Sequence, residues 1–135
     1  MEASKVEPSY GPTNPSPEAQ ANASVRRFGS VIGLDPEKEA YYRELHADVW
    51  PSVLDRIKKS NMRNFSIYTS EIEGKKFLFS YFEYVGQDFE ADMDAIAADP
   101  ETQRWWKETD PCQIKLPNRK PGANWSEMEM VFQAD

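Results

Sequence analysis

The chain contains a single histidine, His46. Tyr42 lies four residues before it and Trp50 four after, with Pro51 next. Residues four apart on a helix project from one face, so Tyr42 and His46 can reach the same ligand. Histidine titrates near neutrality and can give and take protons at cellular pH. Its plainer role at a helix end is a cap or a satisfied polar group. A second constellation is Trp105-Trp106, inside Gln103-Arg104-Trp105-Trp106-Lys107. Neighbouring residues on a helix point about 100° apart, so both rings cannot share one narrow core stripe. One ring can be core while the other needs a ligand or an interface. Indole faces pack against C–H groups and the indole N–H donates to hydroxyls, properties that suit a carbohydrate. Glu83 is a third candidate, on the same side of an aromatic strand as Phe79 and Tyr81. There it could pair with His46 or bind a hydroxyl, or simply be a solvated strand end. Asp110, before Pro111, reads as a turn former.

Those groups need elements to position them. Val25 to Leu34 alternates as a strand whose glycines admit another backbone or a ligand. Asp35 is placed to cap a helix with Pro36 at its first position, running to about His46. Pro51 cannot sit inside a continuous helix, which predicts a kink over Ala47 to Trp50 and a second helix from Pro51 to Ser60. Met62 to Ser70 and Lys75 to Val85 form a hairpin around Glu73-Gly74. A helical region from Asp88 to about Lys107 bends near Asp99-Pro100. A loop follows from Pro111 to Asn124, then a last strand from Trp125 to Phe132. The order β-α-β-β-α-β is a ferredoxin-like α+β arrangement, an antiparallel sheet with helices on one face. The uncovered face would carry the Phe77, Phe79, Tyr81 row or the Leu78, Phe82, Tyr84 row. An exposed apolar sheet face marks a pocket or a subunit interface, so a homodimer is expected.

Composition narrows the chemistry. The 135 residues, 39% hydrophobic and 13% aromatic, suffice for one core. A formal charge of −7 leaves no basic excess for nucleic acid or anionic lipid. One cysteine, Cys112, rules out an internal disulfide and a CxxC site, and one histidine makes zinc improbable. Phosphate-loop and G-x-S-x-G motifs are missing. No segment has the length and apolarity of a membrane span, and the N-terminus does not read as a secretory signal, so a cytoplasmic protein is expected. Residues 1–24, rich in proline and polar groups, read as a disordered tail ahead of a domain over 25–135.

Taken together, Tyr42-x3-His46-x3-Trp50-Pro51, Asn64-Phe65-Ser66-Ile67-Tyr68, Gln103-Arg104-Trp105-Trp106-Lys107 and Glu129-Met130-Val131-Phe132 resemble the L-rhamnose mutarotase family. The resemblance covers about Arg26 to Phe132. It implies a dimeric α/β-barrel of ferredoxin-like subunits that needs no metal or organic cofactor. By the same resemblance His46 matches the proton donor, and Tyr42, Trp105 and Trp106 match sugar-binding residues. A further sugar-binding tyrosine of the family falls at Phe65, which removes one hydroxyl from the pocket and opens the identity of the sugar. The implied reaction interconverts the anomers of a 6-deoxyhexose, L-rhamnose with L-fucose as alternative. Glu83, Tyr42 or a bound water would complement His46. A non-catalytic ligand-binding or stress-response barrel is the competing reading, and a haem-binding or cofactor-free monooxygenase relative a third, because one fold hosts many functions.

Overall fold

The computed structural model describes residues 6–135. Strand β1 (Arg26–Leu34) is the centre of a five-stranded antiparallel sheet that also holds β2 (Met62–Ile72), β3 (Lys75–Tyr84), β4 (Gln113–Ile114) and β5 (Ser126–Met128). The order is β2-β3-β1, and both β4 and β5 pair with the other edge of β1. The register Arg27↔Glu83, Gly29↔Tyr81, Val31↔Phe79 and Gly33↔Phe77 puts these residues on one face, because successive side chains alternate. Phe28, Ser30, Ile32 and Leu34, with Leu78, Ser80, Phe82 and Tyr84, take the other face. Helices cover that second face: Ile32, Leu34, Tyr42, Leu78 and Cys112 are all buried and form the core cluster, with Ile67 and Trp125 packed against it. Of the two rows expected for the open face, the structure selects Phe77, Phe79 and Tyr81.

The helices are α2 (Glu39–Ala47), α3 (Pro51–Lys59), α4 (Phe89–Ala98) and α5 (Pro100–Thr109). Both expected breaks appear. Pro51 opens α3 with Trp50 as its cap residue. At the second break Asp99 accepts from the Thr102 amide at 2.9 Å and from its hydroxyl at 2.8 Å, with Pro100 following. This is the expected use of an aspartate and a proline at a helix start. The start of α2 differs from expectation. Asp35 Oδ1 accepts from the Glu37 amide at 3.0 Å, a local turn bond two residues on rather than a cap, and the helix begins only at Glu39.

Two other segments depart from the sequence reading. The stretch expected as loop from Pro111 to Asn124 opens with a 3-10 turn over Asp110–Cys112 and the short β4. Gly33 makes that pairing possible: a β-carbon there would lie 2.9 Å from the Ile114 carbonyl oxygen. The last strand is shorter than predicted, ending at Met128. Where composition suggested disorder, residues 17–22 form a one-and-a-half-turn helix, α1 (Pro17–Asn22), capped by Ser16 Oγ on the Ala19 amide at 3.2 Å. The Gln133 amide donates to the Thr13 carbonyl at 2.8 Å, tying this segment to the C-terminal end. Among the described residues no helix is long and apolar enough to cross a membrane.

Candidate active site

Tyr42 and His46 sit one turn apart on α2, as their spacing requires, and their rings stack at 4.1 Å between centroids and 26° between planes. His46 Nδ1 lies 2.9 Å from the Tyr42 carbonyl oxygen. A carbonyl only accepts, so Nδ1 carries the proton and Nε2 is the nitrogen left to exchange one. Burial lowers the His46 pKa below the usual histidine value, opposed by the bond to Tyr42. The resting side chain is therefore a neutral imidazole at neutral pH, and its conjugate acid gives up a proton readily.

Trp105 meets the histidine from the other side. Its indole is edge-on to His46 at 5.2 Å and to Trp50 at 5.1 Å. Trp50 is thus drawn into the cluster across the Pro51 kink. Arg104 lies over the Trp50 ring at 5.6 Å, and the Tyr41 hydroxyl donates to Glu108. Together these contacts fix α2 and α3 against α5. The adjacent tryptophans divide as helical geometry demands: Trp105 is 6% exposed and Trp106 is 39% exposed.

A cavity of about 250 Å³ opens beside this cluster, lined by Leu34, Tyr42, Arg43, His46, Ala47, Ile67, Tyr68, Thr69 and Leu78. His46 and Tyr42 face it; the Trp105-Trp106 pair is not part of its wall, and Trp105 stands behind His46. Phe65 does not join the wall either. A bulge between Arg63 and Ser66, with Asn64 at φ 51°, interrupts β2 there. Phe65 lies on the helix-covered side two residues from Ile67, its ring 5.6 Å from Phe82. Of the five sequence candidates the structure therefore groups Tyr42, His46 and Trp105, and leaves Phe65 and Trp106 outside both that cluster and the cavity wall. Sequence reasoning passed over Arg43 as a wall residue, although its i,i+3 spacing to His46 carried the signal.

Two of the three candidate bases are removed. Glu83 lies on the open face, opposite His46, where Oε2 accepts from Arg27 at 3.1 Å and the Tyr81 hydroxyl at 2.8 Å, and Oε1 from Asn64 at 2.9 Å. Hydrogen bonds from Asn64 and Tyr81 hold its carboxyl below the usual glutamate range. Burial pushes the Tyr42 phenol up to about 12, so it keeps its proton at neutral pH and is no base there.

The family model described as L-rhamnose mutarotase matches residues 27–134. The chain belongs to the L-rhamnose mutarotase family. It is 31% identical over 112 residues to the L-rhamnose mutarotase of Bacillus subtilis, a match spanning 82% of this chain and 100% of that protein. A second, from Listeria monocytogenes, is 29% identical over 99 residues, spanning 73% and 90% of the two chains. The crystal structure of L-rhamnose mutarotase from Formosa agariphila superposes with a TM-score of 0.60 at 21% identity, over 82% of this chain and 99% of that one. That likeness establishes the shared fold. Membership in the mutarotase family brings with it the reaction class, sugar isomerisation. Residues 1–26 lie outside the match.

Proposed function

We propose that the protein interconverts the α and β anomers of a 6-deoxyhexose, L-rhamnose, with His46 transferring the proton through Nε2. The observation that carries this reading is the pinned imidazole: Nδ1–H is committed to the Tyr42 carbonyl at 2.9 Å in a residue that lines a cavity of monosaccharide size. A pyranose opens when its ring oxygen gains a proton and its anomeric hydroxyl loses one. Rotation about C1–C2 presents the other carbonyl face, and closure reverses both transfers. His46 as imidazolium gives the proton to the ring oxygen and recovers it on closure. Water accepts the anomeric proton, because Glu83 faces away and Tyr42 holds its own. Positioned acid catalysis of this kind contributes about 10²–10⁴-fold. Tyr42 supplies a stacking face for the imidazole and Trp105 backs it, while Trp106 and Phe65, outside the cavity wall, meet the parts of the sugar that extend beyond it. The open sheet face with Phe77, Phe79 and Tyr81 pairs with a second copy.

Saturation-transfer NMR of anomer exchange on L-rhamnose and L-fucose tests the reading. Wild-type protein accelerates exchange, and His46→Ala returns it to the uncatalysed rate while the fold persists. Uncatalysed exchange with every 6-deoxyhexose refutes the enzyme. If sugar still raises the melting temperature in that case, the protein is a binding module.

A further inference from the structure

Arg43 shares the cavity wall with His46 and Tyr42. It stands three residues before His46 on α2, on the same helical face and about one turn away. The long guanidinium arm is held rather than free. Nε donates to Glu39 Oε2 at 2.9 Å, Nη2 stands in ion-pair contact with the same oxygen at 2.9 Å, and Lys76 Nζ holds Glu39 Oε1 at 2.7 Å. Hydrogen bonds from Lys76 and then Arg43 lower the Glu39 pKa, so the carboxylate anchors both cations. Its side chain is only 14% exposed, whereas that of Arg43 is 62% exposed.

The arrangement leaves one edge of the guanidinium uncommitted: among the described residues Nη1 has no hydrogen-bond partner. Arginine carries donors and no acceptor, so what it meets must accept. The lining residues include no carboxylate. The geometry points to Arg43 as a substrate-positioning residue, whose free edge donates to hydroxyl oxygens of the sugar on the side away from the anomeric carbon. One helical turn matches the width of a pyranose ring, so a sugar with its ring oxygen at His46 extends its far hydroxyls towards Arg43. Glu39 and Lys76 act through Arg43, fixing its rotamer before the sugar arrives and lowering the ordering cost of binding.

This rests on the proposed function, and the experiment separates the two. Anomer exchange is measured as a function of L-rhamnose concentration for wild type, Arg43→Met, Arg43→Lys and Glu39→Gln. A parallel NMR titration with L-rhamnose and L-fucose reads binding alone. Arg43→Met raises KM about tenfold or more while kcat stays within about twofold, the pattern of lost ground-state binding. Arg43→Lys recovers only part of the loss, because an ammonium lacks the fork, and Glu39→Gln gives a smaller rise in KM. A role confined to helix stability would lower the melting temperature and leave KM unmoved. KM and sugar affinity equal to wild type in Arg43→Met overturn the proposal, even where His46→Ala is inactive. If wild type binds the sugar without turnover, the mutarotase reading falls and the titration still decides Arg43. If wild type neither binds nor converts any 6-deoxyhexose, both fall.

Discussion

Trp105 and Trp106 are chemically identical neighbours with opposite burial, so replacing each by alanine separates support from contact. The difference in exposure, 39% against 6%, is a third of a tryptophan's roughly 250 Å², about 80 Å² of surface. At about 25 cal/mol per Å² this makes the Trp105 change costlier by about 2 kcal/mol. The gap widens further because only the Trp105 site leaves a closed cavity and strips edge contacts from His46 and Trp50. Trp105→Ala should therefore cost about 3–5 kcal/mol, with Trp106→Ala at least about 2 kcal/mol cheaper. For a domain of this size the midpoints should differ by roughly 6–10 °C. Urea unfolding at constant m-value, with calorimetry beside it, measures both. Activity should invert the order of interpretation: Trp106→Ala changes KM in a protein that remains folded. Equal destabilisation by the two substitutions, or a larger loss for Trp106, would refute the assignment of one ring to the core and the other to the surface.

Two other perturbations follow from the same geometry. The His46 pKa is depressed in the folded chain, so its contribution to stability is complete above the unfolded value near 6.5 and is lost as pH falls through the folded value. With no other histidine present, denaturation between pH 7.5 and 5 should show that slope in wild type and lose it in His46→Asn. Catalysed exchange, corrected for the spontaneous rate, should rise over the same interval as the imidazolium forms; a falling rate would assign His46 the base role instead. Gly33→Ala forces a β-carbon against the Ile114 carbonyl and should cost about 1–3 kcal/mol, with hydrogen exchange speeding first at the β1–β4 pairing. Unchanged protection at Leu34 and Ile114 would contradict it.

The features legible in the sequence were those set by local geometry. The Tyr42–His46 stack followed from spacing, the break at Pro51 from the missing amide, and the divided tryptophans from the angle between helical neighbours. The helix start failed because an aspartate can serve a cap or a turn equally well. Asp35 bonds Glu37 rather than opening α2, and only the following chain direction decides which. Contacts distant in sequence were illegible. Nothing in the residues near Trp50 announces Trp105 as its partner, and Glu83 was ambiguous because strand alternation fixes two faces without saying which one the helices cover. The two-residue β4 has no period to detect. Arg43 was passed over, since surface arginines at helical spacing are usually solvated.

The bond from the Gln133 amide to the Thr13 carbonyl joins a segment early in the described residues to one late in them, and a groove of about 420 Å³ is lined from both: Pro17, Gln20 and Ala21 on one side, Glu127 to Met130 on the other. These two segments consequently belong to one unit of local opening. The segment at Thr13 cannot pull away without releasing the Gln133 amide, so amide protection at Gln133 reports on residues more than a hundred positions away.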